Sequence, residues 1–173
     1  FLVSRKCEGH TILAVEGTNE TTDWVTNLKF LIKRDDCHRG FRNNANRTLA
    51  QLVIGYEALD PKRKLVIAGH SLGGATATLI ADALWEAGNK NIGLVTAGSP
   101  RPGGRRLRRR LKGLEHYRFV HGDDIVPGTP PWLAGYVHTH PVIKLPDARD
   151  TRFDGVADHN MGSYYDAAVK FLG

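Results

Sequence analysis

Cysteine is scarce in this chain, with only Cys7 and Cys37 among 173 residues. Two thiols permit one bridge or none, too few for a disulfide scaffold, and leave the compartment open. Long apolar runs are missing too: no stretch approaches the roughly 20 residues a membrane-spanning helix requires. No internal repeat, low-complexity linker or Pro/Ser-rich break divides the sequence. It therefore reads as one domain over residues 1–173, enough for a single sizeable core. The first residue is Phe1, and Phe1-Leu2-Val3 is too short for a signal-peptide core. No signal peptide is expected within the chain, and secreted and cytoplasmic locations both stay open.

Acidic residues are absent from one segment. Arg101 to Lys112, RPGGRRLRRRLK, contributes seven of the 24 lysines and arginines, so the net charge of +6 is local. Attraction to anions should be equally local. What remains is ordinary globular composition, 41% hydrophobic and 24% charged, which excludes disorder as the organising feature.

Along the chain, Phe1–Lys6 and His10–Glu16 read as strands joined by a turn at Glu8-Gly9. Thr21–Leu28 reads as a short helix. Leu49, Leu52, Val53 and Tyr56 follow i, i+3, i+4, i+7 spacing, which predicts an amphipathic helix over Thr48–Leu59. Leu65–Ala68 reads as a buried strand, Gly74–Ala87 as a helix stopped by Gly88-Asn89, and Asn91–Ala97 as the next strand. Leu107, Leu111 and Leu114 predict a helix over Arg105–Leu114 with a basic outer face. Tyr117–Val120 and a pair within Tyr136–Leu145 complete the strands, and Gly162–Leu172 looks helical. Strands alternating with helices imply an α/β fold, a mostly parallel central sheet with helices on both faces.

Between strand and helix lies Gly69-His70-Ser71-Leu72-Gly73, a G-x-S-x-G pattern. Such a turn lifts a serine hydroxyl above the sheet and aims the N–H groups of the helix start at it. The glycines are needed because a Cβ would collide with the adjoining element. The Leu72 N–H is then placed to bind a developing oxyanion. A phosphate loop is disfavoured: no Lys follows Gly73-Gly74, and no G-x-G-x-x-G is present. A closely packed glycine turn with no chemistry is the alternative.

Serine needs a base, and the base needs a carboxylate to fix its tautomer. Asp123 and Asp124 follow the Tyr117–Val120 strand, where groups of open α/β sheets collect. Downstream lie His138, His140 and His159. The first two alternate as in a strand, whereas His159 sits in a loop free to reach Ser71. Taken apart, an Asp-Asp pair is an ordinary turn and a loop histidine is ordinarily solvated. Their order, Ser then Asp then His, is what gives them weight.

At this point the sequence resembles the fungal-type class 3 lipases, which are α/β-hydrolases. Six ordered stretches carry the resemblance: AVEGTNETTDWVTNL, CHRGFRNNANRTLAQLV, VIAGHSLGGATATLIADAL, TAGSPRPGG, HGDDIVPGTPP and ADHNMGSYY. The resemblance implies a minimal α/β-hydrolase with Ser71 as nucleophile and His159 as base. It selects Asp124, which directly precedes Ile125-Val126-Pro127, over Asp123. It also implies the Thr18 N–H as the second oxyanion donor beside that of Leu72.

Two departures stand out. Glu16 occupies a place where the family commonly has arginine, so it must point away or be paired. The segment between Thr18 and His38 is short for a lid, and Thr21–Leu28 reads equally as a reduced lid and as a core-capping helix. Trp24, Leu28, Val126, Pro131 and Trp132 are candidate walls of an acyl groove, alongside Pro130 and Leu133; a proline-stiffened surface loop is the competing reading.

The expected activity is serine carboxylic-ester hydrolysis of lipid esters. Phospholipase and feruloyl-type esterase are alternatives on the same fold, and a non-catalytic anionic-membrane or nucleic-acid module is the alternative from another class. Arg105–Arg110 reads as a solvated face or as an adsorption site for anionic lipid. Nucleic acid is not expected, because no aromatic residue is interleaved among the arginines. His38, His116 and His121 show no paired ligand spacing, so neither metal nor cofactor is expected.

Overall fold

Strands and helices alternate along the chain. The computed structural model describes residues 2–7, 9–17, 36–56, 62–146, 155 and 157–173. Strands β1 (Leu2–Cys7) and β2 (His10–Val15) form an antiparallel hairpin in which Leu2 faces Val15 and Cys7 faces His10. Gly9, at φ 69°, turns it. Strands β3 (Lys64–His70), β4 (Ile92–Ala97), β5 (Glu115–His121) and β6 (Ile143–Leu145) then add in parallel, giving the order β1-β2-β3-β4-β5-β6.

Helices α1 (Arg39–Tyr56) and α2 (Leu72–Glu86) cross between the strands, followed by α3 (Arg105–Arg110) and α4 (Met161–Leu172). Because side chains alternate along a strand, each strand supplies two faces. Leu13, Leu65, Ile67, Ile92 and Leu94 enter one apolar cluster with Phe41 and Ala45 of α1, Ile80 of α2, and Leu107 and Leu111. Ala97, Phe119 and Leu145 enter a second with Tyr164 and Ala167 of α4. Helices thus cover both faces, as the alternation of elements predicts. No helix among the described residues is long and apolar enough to cross a membrane.

Several boundaries differ from expectation for physical reasons. Helix α1 begins at Arg39, not Thr48. Its first turns, RGFRNNANR, bury only Phe41 and Ala45, too sparse a pattern to read as amphipathic. The side chains of Leu52, Val53 and Tyr56 lie outside the described residues, as does the expected helix Thr21–Leu28. Helix α3 ends at Arg110 and tightens into a 3-10 turn over Leu111–Gly113, yet Leu107, Leu111 and Leu114 are all buried as their spacing requires. The strand pair expected in Tyr136–Leu145 is corrected to β6 alone. Val137 makes only an isolated bridge to Gly103, because 3-10 turns at Val126–Gly128 and Trp132–Ala134 fold the preceding loop back on itself.

One half-buried ion pair locks α3 to α2. Arg110 donates from Nε and Nη2 to the two oxygens of Asp82, at 2.9 and 2.6 Å. Asp82 is buried in an alanine-rich helix, where an unpartnered carboxylate would be strongly unfavourable. Cys37 is buried with a free thiol, and Arg42 Nη2 donates to its sulfur at 3.1 Å.

Candidate active site

The turn after β3 carries the strain expected of its sequence. Ser71 has φ 56° and ψ −131°, a conformation that non-glycine residues avoid and that costs on the order of 1–3 kcal/mol. A Cβ at Gly69 would run into the Gly73 carbonyl, and one at Gly73 into the Val15 carbonyl, so both positions need glycine. This close approach brings β3, the start of α2 and the end of β2 into one knot. Ser71 sits at its top with 1% exposure. Its own N–H donates to the Ala97 carbonyl at 3.0 Å, tying the turn to the end of β4.

Three elements converge there. Asp124 follows β5, His159 lies in the loop before α4, and both are buried beside Ser71. His159 Nδ1 is 2.8 Å from Asp124 Oδ2, and Nε2 is 2.8 Å from Ser71 Oγ. A carboxylate can only accept, so Nδ1 carries the ring proton and Nε2 accepts from the serine hydroxyl. Residues 88 positions apart in sequence are thereby joined in one line. The arrangement can draw a proton from Ser71 and hold the resulting imidazolium against a negative charge.

Asp124 is held by more than the histidine. Its Oδ1 accepts the Val126 N–H at 2.9 Å, and its Oδ2 accepts the Tyr164 hydroxyl at 2.7 Å. Burial first, and then the Asp124 charge, hold the Tyr164 phenol well above the ordinary tyrosine range, so it remains a donor. Asp123 does not join this set; its N–H is bonded to Asp158 Oδ2 at 2.8 Å, which pins the His159 loop to the turn after β5. His70 stacks on His159 with ring centroids 4.8 Å apart, and burial, helped by His159, pushes it down to about 4. It is therefore a neutral wall behind His159.

The remaining site candidates fall unevenly. Leu72 opens α2, so its N–H is among those with no acceptor inside the helix. Thr18, Trp24 and Leu28 lie outside the described residues. Val126 is buried to 2% exposure and serves Asp124 through its backbone instead of presenting its side chain to an open groove. Pro131 and Trp132 are exposed. Trp132 lines a cavity of about 540 Å³ with Asp36, Arg105, Arg106, Arg109, Leu133, Gly135 and Val137, a set that excludes Ser71, Asp124 and His159. Glu16 is exposed and lines a different cavity of about 360 Å³ with Gly17, His70 and Met161. Among the described residues, no group of three His, Cys, Asp or Glu side chains is arranged to hold a metal ion.

Tyr164 and His70 are the site residues that sequence reasoning left without a role. The aromatic after Asp-His was visible in ADHNMGSYY, but nothing in one dimension says that a tyrosine 40 residues from Asp124 shares its carboxylate.

Residues 12–134 match the sequence model of the family described as Lipase (class 3). The chain is 37% identical over 153 residues to Secreted mono- and diacylglycerol lipase 1 of Fusarium solani, covering 82% of this chain and 45% of that protein. It is 31% identical over 155 residues to a Lipase of Rhizomucor miehei, covering 79% of this chain and 42% of the other. Among solved structures, the lipase from Rhizopus microsporus var. chinensis superposes with a TM-score of 0.72 at 27% identity, over 87% of this chain and 57% of that one. The chain spans about half the length of the curated relatives it matches.

Proposed function

Because the chain belongs to the class 3 lipase family, we propose that it is a serine hydrolase cleaving acylglycerol esters on one α/β-hydrolase domain, residues 1–173. The observation that carries this reading is the unbroken hydrogen-bonded line from Ser71 through His159 to Asp124. Ser71 Oγ attacks the ester carbonyl as His159 Nε2 takes its proton. Asp124 stabilises the imidazolium without itself being protonated. The N–H groups of Leu72 and Thr18 bind the oxyanion of the tetrahedral intermediate. His159 then gives its proton to the departing alcohol, and the acyl group stays on Ser71 until His159 activates a water to release it.

Preorganisation supports this assignment of roles. The strained turn, the three donors on Asp124 and the neutral His70 ring hold the reacting groups before substrate arrives. The names of relatives that are secreted lipases support an extracellular location, and anionic lipid is the surface this reading assigns to Arg105–Arg110. The test is hydrolysis of p-nitrophenyl esters with acyl chains from two to sixteen carbons, with Ser71→Ala alongside. Turnover that vanishes in the variant supports the reading, and the preferred chain length separates esterase from lipase. Wild type as inactive as the variant on every ester overturns it.

A further inference from the structure

We propose that Arg105, Arg106 and Arg109, with Trp132 and Leu133, form one docking surface for an anionic phospholipid membrane. The observations are independent of the catalytic residues. Within α3, Leu107 is buried and Arg110 is consumed by Asp82 and Glu86. Arg105, Arg106 and Arg109 are exposed, and no side-chain hydrogen bond or ion pair joins them to another described residue. Evenly solvated arginines would be unremarkable. These three instead share the 540 Å³ cavity with Trp132 and Leu133, which are 67% and 79% exposed.

The apolar half is held in place. Arg101 bonds the carbonyls of Gly128 and Pro130, the latter at 2.7 Å, and its N–H donates to the Thr129 carbonyl at 2.7 Å. The Val137 N–H donates to Gly103 at 2.8 Å, so the stretch that follows the Trp132–Ala134 turn is stitched to the entry of α3. The cavity has one carboxylate, Asp36, whose Oδ2 accepts the Leu107 N–H at 2.8 Å. Three guanidinium groups against one carboxylate leave the surface positive.

Charge complementarity and the apolar tip together choose the occupant. Arginines near an anionic leaflet are attracted to headgroup phosphates. A tryptophan beside them settles at headgroup level, and an exposed leucine suits the acyl boundary. Nucleic acid would use the arginines but has no need of Leu133. Helix α3 and the Trp132 loop both follow carboxyl ends of strands, as the Ser71 turn does. The choice of lipid as partner rests on the hydrolase reading above; the patch itself does not.

The experiment measures binding of the Ser71→Ala protein, which spares the vesicles, to phosphatidylcholine vesicles with and without phosphatidylglycerol. Binding should need the anionic lipid, weaken with salt and shift tryptophan emission to the blue. The combined change Arg105→Gln, Arg106→Gln, Arg109→Gln should weaken it about a hundredfold, and Leu133→Ser should abolish the blue shift while the circular dichroism of both stays native. Equal binding to neutral vesicles, unchanged binding by the triple variant, tighter binding to single-stranded RNA, or binding only to soluble glycerol phosphate would each overturn the proposal. Turnover of a soluble short-chain ester by wild type is read in parallel. Lost docking with intact turnover removes this proposal alone, and docking without turnover removes the hydrolase reading alone.

Discussion

His159 and His116 each sit in a hydrogen-bonded cluster, but of the two only His159 is bonded to a carboxylate among the described residues. His159 points Nδ1 at Asp124 and Nε2 at Ser71. His116, at the opposite end of β5, is bonded to Thr96 Oγ1 at 2.9 Å, Thr139 Oγ1 at 3.1 Å and His140 Nδ1 at 3.3 Å. Around that second group stand His138, His140, Arg118, Arg101 and Arg108, all neutral or cationic. Burial first, and then these charges, push His116 and His138 down to about 3. The same side chain is thus arranged to receive a proton at one end of a strand and to refuse one at the other. At His116 and His138 burial does most of this and the surrounding cations add to it, whereas His159 has the Asp124 carboxylate at hydrogen-bond distance.

The comparison breaks most completely at its Ser71 end. Ser71→Ala should lower kcat by about 10⁴- to 10⁶-fold on any accepted ester while leaving the thermal midpoint unchanged or higher; a residual rate within tenfold of wild type would place the nucleophile elsewhere. Asp124→Asn keeps the shape but replaces an acceptor with a donor facing Nδ1. The ring then favours the wrong tautomer, and kcat should fall about 10⁴-fold with KM little changed.

Acid acts on the other histidines. In the unfolded chain they bind protons below about pH 6.5, whereas folded His116 and His138 do so only near 3. The unfolded state therefore gains protons first, and stability falls as pH drops from about 6.5 towards 3. By pH 4 the loss should be on the order of a few kcal/mol, read as a falling urea midpoint. His116→Gln should flatten that slope, and a midpoint indifferent to pH would contradict the account. The smallest effect sharpens the contrast. Tyr164→Phe leaves Asp124 with two donors of three, and kcat should drop about tenfold, the worth of one hydrogen bond to a charged group.

Much of this arrangement could be read in one dimension, because it is written in short-range signals. The glycines about Ser71 and the apolar runs of β3 and β4 announce a strand–turn–helix directly. The end of the Tyr117–Val120 strand offers Asp123 and Asp124 alike, and it is the family resemblance that points to Asp124 and His159. What escaped depends on contacts across the sheet. The first nine residues of α1 are helical because Phe41 and Ala45 find the core, not because their own pattern is strong. Val137 was expected in a strand, but its partner is Gly103, far off in sequence. Trp132 was expected beside the acyl chain, and its cavity is shared with α3 through a loop whose path depends on Arg101. Tyr164 joined Asp124 only once α4 had packed on β5 and β6.

The positive φ of Ser71 has a consequence for anyone who would engineer this protein. A glycine there would relax the turn, so a screen that selects heat resistance alone should enrich replacements at position 71 early. Such a screen would harvest robust and inert molecules. Selection for durability has to be coupled to selection for turnover from its first round, since at this residue the two goals pull the backbone in opposite directions.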